Sequence, residues 1–393
     1  MRASYVDRML AQIDGVVAPI WITQLVVSDA PPAVAALRDG LTKLVAETPR
    51  LQLCWDAAHD AWRGAGPRAV TVAEFACAPE REHINRLLAA RIDLAIELPL
   101  RVTLAPLVEG GTLIAIQLHH AIGDARSLMF LNRRLWQLMN GRGGEPLDAA
   151  HFSDRRALAA IARRFPAIPA IARARHRVLA RRGTALRRSG NEIGAPMLRT
   201  LRVPLGDTPP AEQFFTALLA GIARHGVQDR EAPLRFRIPV DLRRELQLGR
   251  TVENPCSAVP IEVTAEATGA VVVDALARAL AAGVHWATLL ECVTIGRLAS
   301  VAQLRKHTRP ELLAARRGST LVTTYVGTID RYLVDVPFPI RSFRTHTPTW
   351  GANAYTHAGS LVINMGAFEG LWRPDELDAF VGAMRDAIGG AIS

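Results

Sequence analysis

The chain has 393 residues, 49% of them hydrophobic, and a formal charge of +10. This length accommodates two domains with separate cores, and this apolar share excludes a disordered chain. Eleven arginines and no acidic residue fall between Arg155 and Arg188; taking them from +10 leaves the remainder at about −1, so the basicity belongs to one segment and not to the fold.

Tyr5 to Ile13 is predicted as a short opening helix and Ile20 to Val27 as a strand containing Trp21 and Leu25. Pro31 to Glu47 is amphipathic, with Val34, Leu37, Leu41 and Val45 on one face and Pro32 near its start. Thr48-Pro49-Arg50-Leu51 then turns into a strand over Gln52 to Asp56. Taken alone, Pro49 only stops a helix. Glu80 to Ala90 is predicted as another helix. Leu98-Pro99-Leu100-Arg101 leads into a strand over Val102 to Leu107, and Glu109-Gly110-Gly111 turns it back as a hairpin.

The returning strand carries Leu113, Ile114, Ala115, Ile116 and Leu118, an apolar density that predicts burial. His119-His120-Ala121-Ile122-Gly123-Asp124 follows at once, and Ala125 to Met139 reads as a helix with Leu128, Leu131, Leu135 and Leu138 at offsets of three and four. Two histidines and an aspartate therefore sit where a strand ends and the chain turns, a place where side chains leave the core and can meet a ligand. Imidazole titrates near neutrality and can take a proton from an attacking hydroxyl or amine. Asp124, four residues on across the Gly123 turn, is placed to brace the loop against an arginine from elsewhere.

His119-His120-x-x-x-Asp124 at the end of an apolar strand resembles the HHxxxD motif of the thioester-dependent acyltransferase superfamily. Chloramphenicol acetyltransferase, peptide-synthetase condensation domains, polyketide-associated acyltransferases and wax ester synthases belong to that group. The resemblance implies that His120 is the general base and Asp124 structural, with His119 anchoring the loop. Ala125 stands where many members carry Gly. The turn at Thr48 to Leu51 and the "LPLR" strand resemble the family in the same order along the chain.

Pro146 to Gly194 breaks this regularity, with Pro166 and Pro169 interrupting any single helix. Its arginine segment, Arg155 to Arg188, suits an anionic membrane surface, an acidic carrier protein or the phosphates of coenzyme A. It suits a solvated crossover helix equally, in a chain whose only lysines are Lys43 and Lys306. Nucleic acid is not an expected partner: Phe165 is the one aromatic interleaved, and no nucleic-acid motif occurs.

In the second half, Leu198 to Pro204 is predicted as a strand, Pro209 to Arg224 as a helix carrying Phe214, Phe215, Leu218, Leu219 and Ile222 inward, and Leu234 to Val240 as a strand. The last ends in Pro239-Val240-Asp241-Leu242-Arg243-Arg244, which resembles the family's V-D-L-R segment and implies Arg243 as the partner of Asp124. In isolation Arg243 would be a surface arginine; with the upstream motif the salt bridge is the better reading, because a buried carboxylate needs a cation. Val252-Glu253-Asn254-Pro255-Cys256-Ser257 resembles the N-x-x-S stretch opening the next strand, with Glu253 where Gly is usual.

Val271 to Gly283 and Trp286 to Ala299 are predicted helices, followed by a strand over Leu321 to Ile329. That strand resembles the family's T-N-x-G segment with Tyr325 in place of Asn. Thr324 and Tyr325 are thereby candidates for an oxyanion donor or pocket wall, and equally residues that simply suit a strand. Ser360 to Phe368 is predicted as a strand and Pro374 to Ile388 as a terminal helix. His346 and His357 have no partner at recognisable spacing and read as loop or sheet residues that could line a pocket.

The resemblance implies an α/β chain of two chloramphenicol acetyltransferase-like lobes, each a mixed sheet with flanking helices and with the site in a tunnel between them. The expected division is an N-terminal lobe over 1–145, an Arg-rich connector over 146–195 and a C-terminal lobe over 196–393. The implied activity is acyl transfer from a coenzyme A or carrier-protein thioester to a hydroxyl or amine, with no bound cofactor and no metal. An alternative within the enzymes is a free-standing condensation enzyme forming an amide or ester in natural-product assembly. Outside them stands a silent relative that binds an acyl carrier or a membrane. A metal site at His119, His120 and Asp124 is disfavoured because adjacent residues on a strand point to opposite faces.

No opening segment pairs a basic start with an apolar core and a small-residue cleavage site, and no run of about 18 uninterrupted apolar residues occurs. The expected location is the cytoplasm, with the inner membrane face as a place of peripheral contact. Cys54, Cys77, Cys256 and Cys292 lie far apart without metal-type spacing and read as reduced thiols.

Overall fold

The computed structural model describes residues 3–14, 20–64, 68, 70–144, 146–164, 167, 168, 170, 183–190, 193–298, 302–303, 320–346, 351–389 and 391–392. Much of the arginine segment, including 171–182, lies outside the described residues. The chain folds as two compact units. The first comprises Met1–Ser153, Arg243–Pro255 and Asp330–Pro348, and the second Asp154–Leu242, Cys256–Ile329 and Thr349–Ser393. Divisions expected at 145 and 195 follow chain order, whereas two pieces of the second half are built into the first unit.

The first unit is organised on a five-stranded sheet in the order Ser342–His346, Trp21–Ser28, Thr112–His119, Leu100–Pro106 and Val72–Glu74. The hairpin between Leu100–Pro106 and Thr112–His119 is antiparallel, pairing Leu100 with Leu118 and Pro106 with Thr112. Gly110 and Gly111 close it at φ of 89° and 83°, a left-handed backbone that costs a residue with Cβ energy. Thr112–His119 is buried at every position, as is Trp21–Ser28 beside it. Central strands covered on both faces bury successive side chains, which explains a continuous apolar run in place of alternation.

Helix Ala125–Met139 covers this sheet and turns Leu128, Leu131, Leu135 and Trp136 inward, each no more than 1% exposed. Each such burial stabilises the fold by about 1.5–3 kcal/mol. Helix Val34–Glu47 packs against it. Gly40 leaves room for this packing, since a Cβ there would lie 2.8 Å from Met139 Cγ.

The second unit holds a seven-stranded sheet in the order Ala391–Ile392, Pro196–Pro204, Ser360–Phe368, Gly351–His357, Leu321–Thr328, Leu234–Asp241 and Cys256–Val263. Leu321–Thr328 runs parallel to both of its neighbours, so the sheet is mixed. Helices Pro210–His225 and Pro374–Ile388 pack together, with Gly221 of the first facing the Phe380 ring of the second. Among the described residues no single helix is long and apolar enough to cross a membrane; Gly269–Ala281 and Val284–Thr294 reach that length and composition only as a pair bent by 65°.

Strands Ala61–Gly64, Val72–Glu74, Ser342–His346 and Gly351–His357 were absent from the sequence-based expectation. All but the last are short, three to five residues, and short strands lack a period long enough to read.

Candidate active site

The loop from His119 to Asp124 leaves the end of a fully buried strand, and backbone contacts hold its first turn. His119 N donates to Pro99 O at 2.8 Å, His120 N to Ile20 O at 3.0 Å, and Ile122 N back to His119 O at 2.9 Å. Gly123 lets the loop pass close to the following helix, since a Cβ there would come within 2.7 Å of Ser127 Cβ.

The two histidines meet different surroundings. His119 is 1% exposed; its Nδ1 accepts from Ala121 N at 3.2 Å, and its Nε2 lies 3.3 Å from Asp14 Oδ2. Its ring sits tilted beside Trp21, with centroids 6.2 Å apart. Both of its ring nitrogens are thus directed at the protein, which suits an anchor. His120 is half-buried and its Nδ1 lies 3.2 Å from Gly123 O. A carbonyl only accepts, so this contact assigns the proton to Nδ1 and leaves the lone pair on Nε2. Burial pulls the imidazole below its ordinary value of 6.5, with the charge of Asp124 opposing the shift. A neutral ring with one fixed basic nitrogen is what proton abstraction near neutral pH requires.

Asp124 does two jobs. It is the N-cap of helix Ala125–Met139, accepting from Ser127 N at 2.8 Å, and it receives Arg243 through both oxygens at 2.6 and 2.8 Å. Burial works against its charge, yet Arg243 and Ser127 outweigh this and hold the carboxyl below the usual carboxylate range. Arg243 Nη2 also donates to Ser127 Oγ at 2.8 Å, Glu253 O at 2.8 Å and Thr251 O at 3.2 Å. Its guanidinium carbon lies 5.7 Å from the Phe130 ring centroid. A bidentate pair whose Nη2 also meets two backbone carbonyls fixes direction as well as charge.

The segment Thr251 to Asn254 completes the clamp. Asn254 Nδ2 donates to His120 O at 2.6 Å, and Glu253 O accepts from Asp124 N at 3.3 Å and Ser127 Oγ at 2.8 Å. Asn254, Ser127 and the Glu253 carbonyl did not emerge as site residues from the sequence. Ser127 left a signal as the third residue after an N-cap aspartate, and Asn254 one only as part of the N-x-x-S-like stretch.

His119, His120, Asp124 and Arg243 are thus assembled in the first unit. Thr324 and Tyr325 belong to the second, half-buried on strand Leu321–Thr328, opposite Asn353 and Ala354. Burial pushes the Tyr325 phenol up, and a hydrogen bond with Thr356 works in the other direction. His346 is 3% exposed at the end of strand Ser342–His346, paired with Thr23, and burial lowers it to about 4. His357 ends strand Gly351–His357 and is half-buried. Among the described residues no group of three His, Cys, Asp or Glu side chains could hold a metal ion. Of the arginine segment, Arg164 stacks on Trp286 at 3.9 Å and Arg187 Nε donates to Val227 O at 3.2 Å, so these two serve the second unit's own packing.

No protein-family model and no curated protein matches this sequence. Solved structures do match its fold. The nonribosomal peptide synthetase FmoA3 aligns over 99% of this chain and 42% of its own at 16% identity and a TM-score of 0.67, so this chain spans less than half of that protein. The first condensation domain of the calcium-dependent antibiotic synthetase aligns over 100% and 98% at 18% identity and a TM-score of 0.64. Polyketide synthase associated protein 5 from Mycobacterium tuberculosis aligns over 98% and 97% at 16% identity and a TM-score of 0.60. This chain has the two-lobed α/β fold of these condensation-domain and polyketide-synthase-associated structures.

Proposed function

We propose that the protein is an acyltransferase that moves an acyl group from a thioester to a hydroxyl or amine, with His120 as general base. The observation that carries this reading is the 3.2 Å contact of His120 Nδ1 with Gly123 O: the carbonyl can only accept from Nδ1–H, so Nε2 keeps its lone pair and is the nitrogen that takes a proton. The acceptor's proton passes to Nε2 as its oxygen or nitrogen bonds to the thioester carbonyl carbon. The C–S bond then breaks, and the departing thiolate takes the proton from His120. Asp124 and Arg243 do not touch the reactants in this scheme; they hold the loop that aims the ring.

The donor's acyl thioester is carried by coenzyme A or by the phosphopantetheine of a carrier protein. The fold likeness to a condensation domain supports the carrier form and, with it, the reading as a condensation enzyme that forms an amide or ester. Thr324 or Tyr325 would donate to the oxyanion of the tetrahedral intermediate. The described arginines Arg155 and Arg163 are exposed and would meet an acidic carrier protein.

A thiol-release screen tests the reading directly. The protein is incubated with a panel of coenzyme A and carrier-bound acyl thioesters and mixed hydroxyl and amine acceptors, and free thiol is detected. Acceptor-dependent thiol release that disappears in His120→Ala supports the assignment. Release that survives in His120→Ala removes His120 from the reaction, and the absence of release with every donor favours a relative that binds acyl carriers without turnover.

A further inference from the structure

Beneath the histidine loop lies a second set of buried charges. Arg50, in the 3-10 turn Pro49–Gln52, has a side chain 5% exposed. Its Nη2 lies 2.7 Å from Asp7 Oδ2 and 3.2 Å from Glu253 Oε2. Its Nε donates to Ile122 O at 3.2 Å, and its guanidinium faces the Trp62 ring at 5.6 Å. Asp7 is held in turn by Trp62 Nε1 at 3.1 Å and by Ser4 N at 3.1 Å, within the capping box of helix Tyr5–Ile13. The other Glu253 oxygen, Oε1, lies 2.6 Å from His151 Nδ1.

Arg50 therefore grips the loop from two sides. Directly, it holds the carbonyl of Ile122, the residue before the Gly123 carbonyl that sets the His120 tautomer. Indirectly, it holds the side chain of Glu253, whose backbone carbonyl accepts from Asp124 N, Ser127 Oγ and Arg243. Two anions flank one buried guanidinium; burial opposes its charge, but Asp7 and Glu253 together raise its affinity for the proton. Glu253 was the departure from glycine in the sequence, and this contact gives that departure a purpose.

We propose that Arg50, backed by Glu253, is a positioning residue for His120: its Nε holds the Ile122 carbonyl and so keeps the Gly123 carbonyl on Nδ1 of the base. This rests on the reading of His120 as general base. The planar guanidinium is what matters, because its Nε edge must donate to a carbonyl while Nη2 pairs with two carboxylates.

Arg50→Lys and Arg50→Met separate this role from simple charge balance. Lys restores a cation to the buried carboxylates without the directed Nε donor, and Met removes both. Positioning predicts that Arg50→Lys keeps a near-native melting temperature while kcat for thiol release falls about a hundredfold and KM for the thioester stays within about twofold. It also predicts that long-range proton-nitrogen NMR of His120 changes from a ring protonated at Nδ1 to a mixture of tautomers. Full kcat and an unchanged His120 spectrum in Arg50→Lys overturn the proposal. If both Arg50 variants fail to fold, Glu253→Gln carries the test, because an isosteric amide keeps an oxygen toward Arg50 without the charge. A smaller fall in kcat with the same spectral change supports positioning, and native values of both overturn it. The NMR arm stands apart from turnover: a displaced tautomer in a protein that releases no thiol supports the positioning of His120 and counts against acyl transfer alone.

Discussion

The arginines around the histidine loop and those of the basic segment are the same residue type in opposite circumstances. Arg50 and Arg243 are 5% and 4% exposed, and each is aimed by carboxylates and backbone carbonyls. Arg155 and Arg163 are exposed. Buried guanidinium groups pay a desolvation cost that only well-aimed partners offset, so their geometry is fixed; exposed ones are hydrated and screened, so theirs is not. Net charge marks the second group and hides the first, although the first contacts the histidine loop. The teaching is that in this protein an arginine's acceptors, and not its neighbours in sequence, decide what it does.

The sharpest break of that contrast lies at the group the buried arginines serve. His120→Ala is expected to lower acyl transfer by about two to four decades with the fold intact, measured as thiol release beside circular dichroism. Next comes the clamp: Arg243→Met leaves the Asp124 carboxylate buried without its cation and should destabilise the fold by about 3–5 kcal/mol in urea unfolding. A result near zero would place Asp124 in better contact with water than its burial allows.

Acid sharpens the comparison further. As the proposed general base, His120 must be neutral to act and its proton affinity is lowered by burial, so activity should be flat through neutral pH and fall only with a midpoint below 6.5, read from the pH profile of kcat/KM. For stability the sign follows the same way. His346 binds a proton in the unfolded chain near 6.5 but in the folded one only at about 4, so folding loses stability as pH falls from 6.5 through about 4. His346→Gln should flatten that part of the stability profile in thermal melts. The smallest effect belongs to the exposed group: Arg155→Ala or Arg163→Ala should change stability by no more than about 0.5 kcal/mol. A large loss there would show that the exposed arginines are as firmly engaged as the buried ones.

Much of the candidate site was legible before the fold was known, and for particular reasons. Apolar density from Leu113 to Leu118 marks a strand covered on both faces, and the period from Leu128 to Leu138 marks the helix after it, so the polar residues between them had to lie in a turn. Pairing Asp124 with Arg243 required a resemblance, because 119 positions separate them. Arg50, Ser127 and Asn254 carried no such sign as parts of one clamp. Pro49 drew attention in the turn where Arg50 is the group that reaches the loop, and Glu253 stood out only as a misfit.

What the sequence determines by itself is local: which runs are buried, where helices begin, and that two histidines and an aspartate share one turn. These follow from periodicity and capping, which act within a few residues. Only the tertiary structure decides that Arg243–Pro255 and Asp330–Pro348 complete the first unit, that His119 faces inward while His120 keeps a basic nitrogen, and that Arg50 reaches Ile122. The physical reason is that hydrogen bonds and ion pairs depend on distance and angle in space, and chain separation carries neither.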